Sequence, residues 1–133
     1  MNDNNGSSAA VMYITYDCLV VPIQAELHDN TLVRTQEEIL AKVQDTRVKG
    51  VIIDFSAVSV IDSYAASLLN DTARAVSLLG AAAVISGIKP GTAASLVDLG
   101  LYFHGITKVS SLEEGFRILQ PKAANQESRG TPP

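Results

Sequence analysis

The chain has 133 residues, 47% of them hydrophobic, with a net charge of −4 and a pI near 5.0. That length supports one domain with a core of its own, and the apolar share is that of a globular chain rather than a disordered one. The acidic balance disfavours a protein that grips phosphate backbones, and a chain without Trp and with few aromatics offers no platform for stacking bases.

Residues 1–9 (MNDNNGSSA) are polar and lack the basic, apolar pattern of a signal segment. They read as a disordered tail, as do residues 121–133, with their Pro, Gly and polar side chains. The domain is expected over 10–120. No apolar run is long enough to span a bilayer, and a cytoplasmic protein is expected.

In chain order, Val11 to Thr15 and Leu19 to Ile23 read as strands, with Tyr16 and Asp17 as a hairpin connection. Cys18, the single cysteine, has no disulfide partner within the chain, and its apolar neighbours Leu19, Val20 and Val21 point to buried packing. Glu26, His28 and Asp29 follow. They could be imagined as metal ligands, but without a further His or Cys at useful spacing a solvated loop is the better reading. Asn30 to Arg47 is predicted helical, with Leu32, Val33, Ile39, Leu40 and Val43 on one face and Arg34, Glu37, Glu38 and Lys42 toward water.

After Gly50, Val51 to Phe55 reads as an apolar run closed by an acid, as expected for a strand buried on both faces. It passes through Asp54 and Ser56 to a second acid–serine pair, Asp62-Ser63, where a helix pattern begins. Leu68, Leu69, Thr72, Val76 and Leu79 recur at helical spacing, and Gly80 supplies the stop. Ala81 to Ser86 is a further buried strand. Gly87 to Pro90 turns into a helix of about Gly91 to Leu99 that Gly100 ends. Ile106 to Val109 is a short strand, and Ser111 with Glu114 forms a capping-box pattern opening a last helix to Leu119. The order β-β-α-β-α-β-α-β-α implies an α/β fold: a mixed, largely parallel sheet of about five strands with about four helices packed on it.

Ser63 stands out because it falls at a helix start. Backbone N–H groups and the positive end of the helix dipole converge there, so an added phosphate would be tolerated or stabilised. The plain alternative is an ordinary helix-start residue, since Ser and Asp satisfy orphan N–H groups at that position. No Ser-His-Asp or Cys-His signature, metal cage or phosphate loop accompanies it, so the site reads as one that receives chemistry. His104, beside Phe103 and Gly105, reads as a loop or packing residue, and no catalytic residue, cofactor or metal is expected.

The element order, the segment Val51-Ile52-Ile53-Asp54-Phe55-Ser56 and the Ile61-Asp62-Ser63 turn resemble a STAS domain, the module of bacterial anti-sigma-factor antagonists and sulfate-transporter tails. The resemblance covers about residues 11–120. Leu78-Leu79-Gly80-Ala81, Val84-Ile85-Ser86-Gly87-Ile88-Lys89-Pro90 and Leu96-Val97-Asp98-Leu99-Gly100 are similar to stressosome proteins. Leu19-Val20-Val21-Pro22-Ile23-Gln24, with Glu26-Leu27-His28-Asp29 after it, resembles the small single-domain scaffold subunit of that complex, of the RsbS type.

That resemblance implies a non-enzymatic scaffold that co-assembles, as a homo- or hetero-oligomer, with paralogues bearing an N-terminal sensor domain, for which this chain has no room. The scaffold holds a serine kinase of the histidine-kinase-like ATPase superfamily until the kinase phosphorylates it, and a PP2C-type phosphatase resets the site. Carried onto this sequence, the acceptor is Ser63 with Asp62 as its orienting, kinase-facing neighbour. Ser95 matches a second acceptor of the sensor paralogues and stays secondary. Simple antagonists usually read Asp-Ser-Ser-Gly or Asp-Ser-Thr-Gly, whereas this chain has Tyr64 and Ala65 after Ser63. A stand-alone anti-sigma-factor antagonist that binds an anti-sigma kinase is the alternative.

Overall fold

The computed structural model describes residues 11–26 and 28–120, so the expected tails at 1–9 and 121–133 lie outside the described residues, as does Leu27. The fold begins with a tight reversal at Tyr16 and Asp17. Their φ values of 52° and 61° are both positive, which is what a two-residue turn of the type matching strand twist requires. It joins β1 (Tyr13–Thr15) to β2 (Cys18–Pro22) as an antiparallel pair. Val11 and Met12 fall before β1, and Ile23 follows β2 with its N–H donating to the Asp54 carbonyl at 2.9 Å. Cys18 is fully buried, and burial, then the nearby Asp17 charge, pushes its thiol up from the ordinary value.

From β2 onward every strand pairs with its predecessor in parallel: β3 (Gly50–Asp54), β4 (Ala82–Ser86) and β5 (Thr107–Val109) follow in turn, giving a five-stranded sheet ordered β1-β2-β3-β4-β5. Crossovers of one hand between successive neighbours place their helices on one face. Accordingly α1 (Asp29–Thr46), α2 (Ser63–Leu78) and α3 (Pro90–Leu99) share a core with Leu19, Val21, Val51, Ile53, Ala83 and Ile85. The alternate residues Ile52, Val84 and Val109 face the other way, against Leu112, Phe116 and Leu119 around α4 (Leu112–Leu119). Val51, Ile52 and Ile53 are fully buried, so β3 is covered on both sides, each such side chain contributing roughly 1.5–3 kcal/mol.

The helices follow their patterns with local differences. In α1 the buried positions are Leu32, Thr35, Ile39 and Val43, while Val33 and Leu40 are only half-buried. In α2 the buried stripe is Ala65, Ala66, Leu69, Thr72, Ala73 and Val76. Thr72 belongs there because its hydroxyl donates to the Leu68 carbonyl at 2.7 Å and accepts from Gln36 Nε2 at 2.8 Å, joining α2 to α1. Leu79 does not complete the stripe: it ends the helix as its C-cap and remains 48% exposed. The capping box at α4 is also displaced. Ser111 accepts from the Glu114 N–H at 3.2 Å, but the Glu114 carboxylate reaches past the cap to the N–H and hydroxyl of Ser110, at 3.0 and 3.1 Å. Those two bonds, N–H first, hold Glu114 below the ordinary glutamate range, and Arg117 adds to them.

Two predictions follow from this packing. A group whose folded pKa is lowered adds stability above its unfolded pKa and loses it as pH falls through the folded one. Glu114 should therefore titrate below an ordinary Glu in a carboxyl NMR titration and move part of the way back in Ser110→Ala, which loses the hydroxyl bond and keeps the N–H bond; a wild-type titration at the ordinary Glu value would refute the clasp. Gly87 has φ +73°, and a Cβ there would run into the Ser56 hydroxyl and approach Asp54 Oδ1 at 3.0 Å. Gly87→Ala should cost about 1–3 kcal/mol in urea unfolding, and a wild-type midpoint would show that this corner can relax.

Candidate functional site

β3 ends at Asp54, whose carboxylate shapes the departure of the chain. Its Oδ1 accepts from the Ser56 hydroxyl at 2.7 Å, the Ser56 N–H at 3.3 Å and the buried Ser86 hydroxyl at 3.0 Å. The Phe55 N–H continues toward β4 by donating to the Ser86 carbonyl at 2.8 Å. The Phe55 ring meets Phe103 edge-on, with centroids 5.7 Å apart, and both are buried. Val58 and Ile61 turn inward, leaving Ser59 and Val60 outside.

This turn also leans on α3. The buried Thr92 hydroxyl donates to the Val58 carbonyl at 2.9 Å and lies 3.3 Å from the Ser59 carbonyl. Lys89, the N-cap of α3, reaches the Ser59 hydroxyl with Nζ at 3.3 Å. Pro90 occupies the opening of α3, where its missing N–H costs nothing.

The turn ends at Asp62, the N-cap of α2. With extended backbone (φ −95°, ψ 175°), its Oδ1 accepts from the Ala65 N–H at 2.8 Å. The carboxylate thus has a structural job before any role toward a partner. Ser63 is the first residue of α2 and is exposed. At that position the positive end of the helix dipole and N–H groups without intrahelical acceptors are nearest. Val60 and Tyr64, near Ser63 in the chain, are 77% and 45% exposed, so apolar surface flanks this serine in sequence. Among the described residues no side chain hydrogen-bonds to the Ser63 hydroxyl, so nothing in the described geometry activates it as a nucleophile.

The other candidates are placed differently. Ser95 lies in mid α3, partly buried, one helical turn beyond Thr92 and away from any helix N-terminus. Glu26, His28 and Asp29 are all exposed; His28 Nε2 stands 3.7 Å from a Glu26 oxygen. Among the described residues no group of three or more His, Cys, Asp or Glu could hold a metal. His104 is an exposed loop residue whose carbonyl receives Arg74 Nη2 at 3.4 Å. Sequence reasoning passed over the tying roles of Asp54, Lys89 and Thr92. The Asp54–Ser56 spacing is a usable turn signal. Thr92 carries none, since its partners lie 33 and 34 positions away. No described helix is long and apolar enough to cross a membrane.

The chain is thus a mixed, largely parallel sheet with three helices on one face and one on the other, and an exposed serine opens α2 directly after its Asp62 N-cap. The model of the STAS domain matches residues 9–114, and the chain belongs to that family. More particularly, it is related to the stressosome proteins. It is 31% identical to a serine-to-glutamate variant of RsbS from Moorella thermoacetica, with a TM-score of 0.76, covering 86% of this chain and 97% of that one. A chain in the structure of the stressosome, a signal integration and transduction hub, is 34% identical with a TM-score of 0.76, covering 85% of this chain and 98% of that one. The RsbT co-antagonist protein RsbRA of Bacillus subtilis is 27% identical over 110 residues, 83% of this chain. The chain spans about two fifths of that relative's length (40%).

The cap predicts its own test. Asp62→Ala removes the acceptor of the Ala65 N–H and should cost about 1 kcal/mol in thermal or urea unfolding, whereas Asp62→Asn, which keeps an oxygen, should lose only a few tenths. Equal losses in the two variants would mean that charge rather than capping is what Asp62 supplies.

Proposed function

We propose that this chain is a phosphorylatable scaffold of a bacterial stress-signalling complex, which sequesters a serine kinase until that kinase phosphorylates Ser63. The observation that carries the reading is the placement of Ser63: exposed, first in α2, beside a carboxylate already committed to capping. A phosphate there adds about −1.5 to −2 charges and three acceptor oxygens. The helix N-terminus favours that charge and Asp62 opposes it, so the fold survives with little net change. A partner surface shaped for a neutral serine and for the apolar Val60 and Tyr64 would instead have to desolvate or face the phosphate.

The kinase in this reading is of the RsbT type, since RsbRA is named as an RsbT co-antagonist. It belongs to the histidine-kinase-like ATPase superfamily, and a PP2C-type phosphatase returns the serine to its free form. Sensor-bearing STAS paralogues are the assembly partners, in a homo- or hetero-oligomer. The chain acts as antagonist and target rather than as enzyme. Tyr64 and Ala65 after Ser63 favour this reading over a stand-alone antagonist. Ser95, partly buried in mid-helix, is the lesser acceptor.

Kinase affinity for phosphorylated and unmodified chain, measured side by side, tests the proposal. Phosphorylation should weaken binding roughly 5- to 150-fold, the usual range of coupling between sites. Ser63→Ala should keep the kinase bound and accept no phosphate. Equal affinities, or phosphate mapped to Ser56, Ser59 or Ser95 instead, would reject Ser63 as the switch.

A further inference from the structure

The turn that presents Ser63 runs from Phe55 to Asp62 without regular structure of its own. Asp54 holds its start through Ser56 and Ser86. A bond from the Val58 N–H to the Phe55 carbonyl at 2.9 Å closes its first bend. Val58 and Ile61 anchor it apolarly in the core. Asp62 secures its end on α2. In the middle, the described polar restraints come from another element altogether: Thr92 and Lys89 on α3.

These two restraints differ in kind. Lys89 is exposed and its contact with Ser59 is long, so water competes with it freely. Thr92 is fully buried, and its single hydroxyl proton is shared between the Val58 and Ser59 carbonyls. Val58 is itself fully buried, so its carbonyl cannot exchange this donor for solvent without movement of the turn.

We infer that Thr92 is the positioning residue of the Ser63 turn, its buried hydroxyl holding the Val58 and Ser59 carbonyls so that the acceptor serine is presented in one geometry. The inference rests on the reading of Ser63 as acceptor. Phosphoryl transfer depends on placement of the attacking oxygen, and a displacement of about 1 Å can cost up to about 10²-fold in rate. A turn released in its middle should therefore still meet the kinase through Val60 and Tyr64 but deliver the hydroxyl poorly. The loss should appear in kcat rather than in KM.

The experiment compares full-length wild type, Thr92→Val, which keeps shape and loses the hydroxyl, and Thr92→Ser, which keeps the hydroxyl. Amide hydrogen exchange is followed at residues 58–63 and, as control, in β3; phosphorylation by an RsbT-type kinase is measured well below each protein's unfolding midpoint. In Thr92→Val, exchange at 58–63 should rise by about tenfold or more with β3 unchanged. Its kcat should fall about tenfold with KM held within about twofold, and Thr92→Ser should stay within about threefold of wild type. Unchanged exchange in Thr92→Val overturns the inference. So does faster exchange with wild-type kinetics, or a Thr92→Ser defect equal to that of Thr92→Val, because a variant that keeps the hydroxyl would then fail as badly as one that lacks it. If wild-type phosphate maps away from Ser63, the acceptor assignment fails, and with it the catalytic half of the inference; the exchange result then judges the hold on the turn by itself.

Discussion

One carboxylate oxygen governs how the chain leaves the centre of the sheet. Asp54 Oδ1 gathers the Ser56 N–H, the Ser56 hydroxyl and the Ser86 hydroxyl at the point where β3 and β4 both end. Ser86 is fully buried, so removing the acceptor would strand a hydroxyl away from water, a cost of about 1–3 kcal/mol. Because the Ser56 and Asp54 side chains fill this corner, the chain after β4 can pass only as glycine, and Gly87 supplies the positive φ as well. The direction of the Phe55–Asp62 turn, and hence the place where α2 can begin, follows from this knot.

The site is accordingly a loop with the stiffness of a scaffold. Its ends are fixed by side-chain carboxylates, its inward residues by apolar burial and its middle by a threonine from another helix. What faces outward is Ser59, tied to Lys89, together with the side chains of Val60, Ser63 and Tyr64. Under the proposed reading this division matters, because few side chains would have to be ordered on contact and the entropic cost of association falls. The Asp62 carboxylate shows the economy of the arrangement: one side chain both starts the helix and sets the charge next to the exposed hydroxyl.

Much of this was legible from residue order. The unbroken apolar run of Val51–Ile53 gives a doubly covered strand, because only burial on both faces removes the need for alternation. The stripe in α2 and the stops at Gly80 and Gly100 are local signals with local causes, as is the serine at a helix start. The misplacements have physical reasons too. Leu79 continues the helical spacing but stands where the helix has already ended, so periodicity overstates its burial. Glu114 has two serines in reach, and spacing alone cannot choose Ser110 over Ser111 as the target of its carboxylate. Thr92 illustrates the larger limit: its meaning lies in carbonyls more than thirty residues earlier, and no window of sequence contains both partners.

The order of the strands in space is the order of the strands in the chain. No strand has to be inserted between two already placed, so the sheet can be laid down from one edge as synthesis proceeds, each new strand joining the last. Contacts between successive strands close loops of modest length, which keeps the entropic barrier of each addition low. The helices arriving in between seal one face as it forms. The opposite face waits for α4, the last described element, whose side chains close over Ile52 and Val84. A nascent chain therefore carries a half-covered sheet until residue 119 has emerged, and a stall before that point would present its apolar back to chaperones and to neighbouring chains.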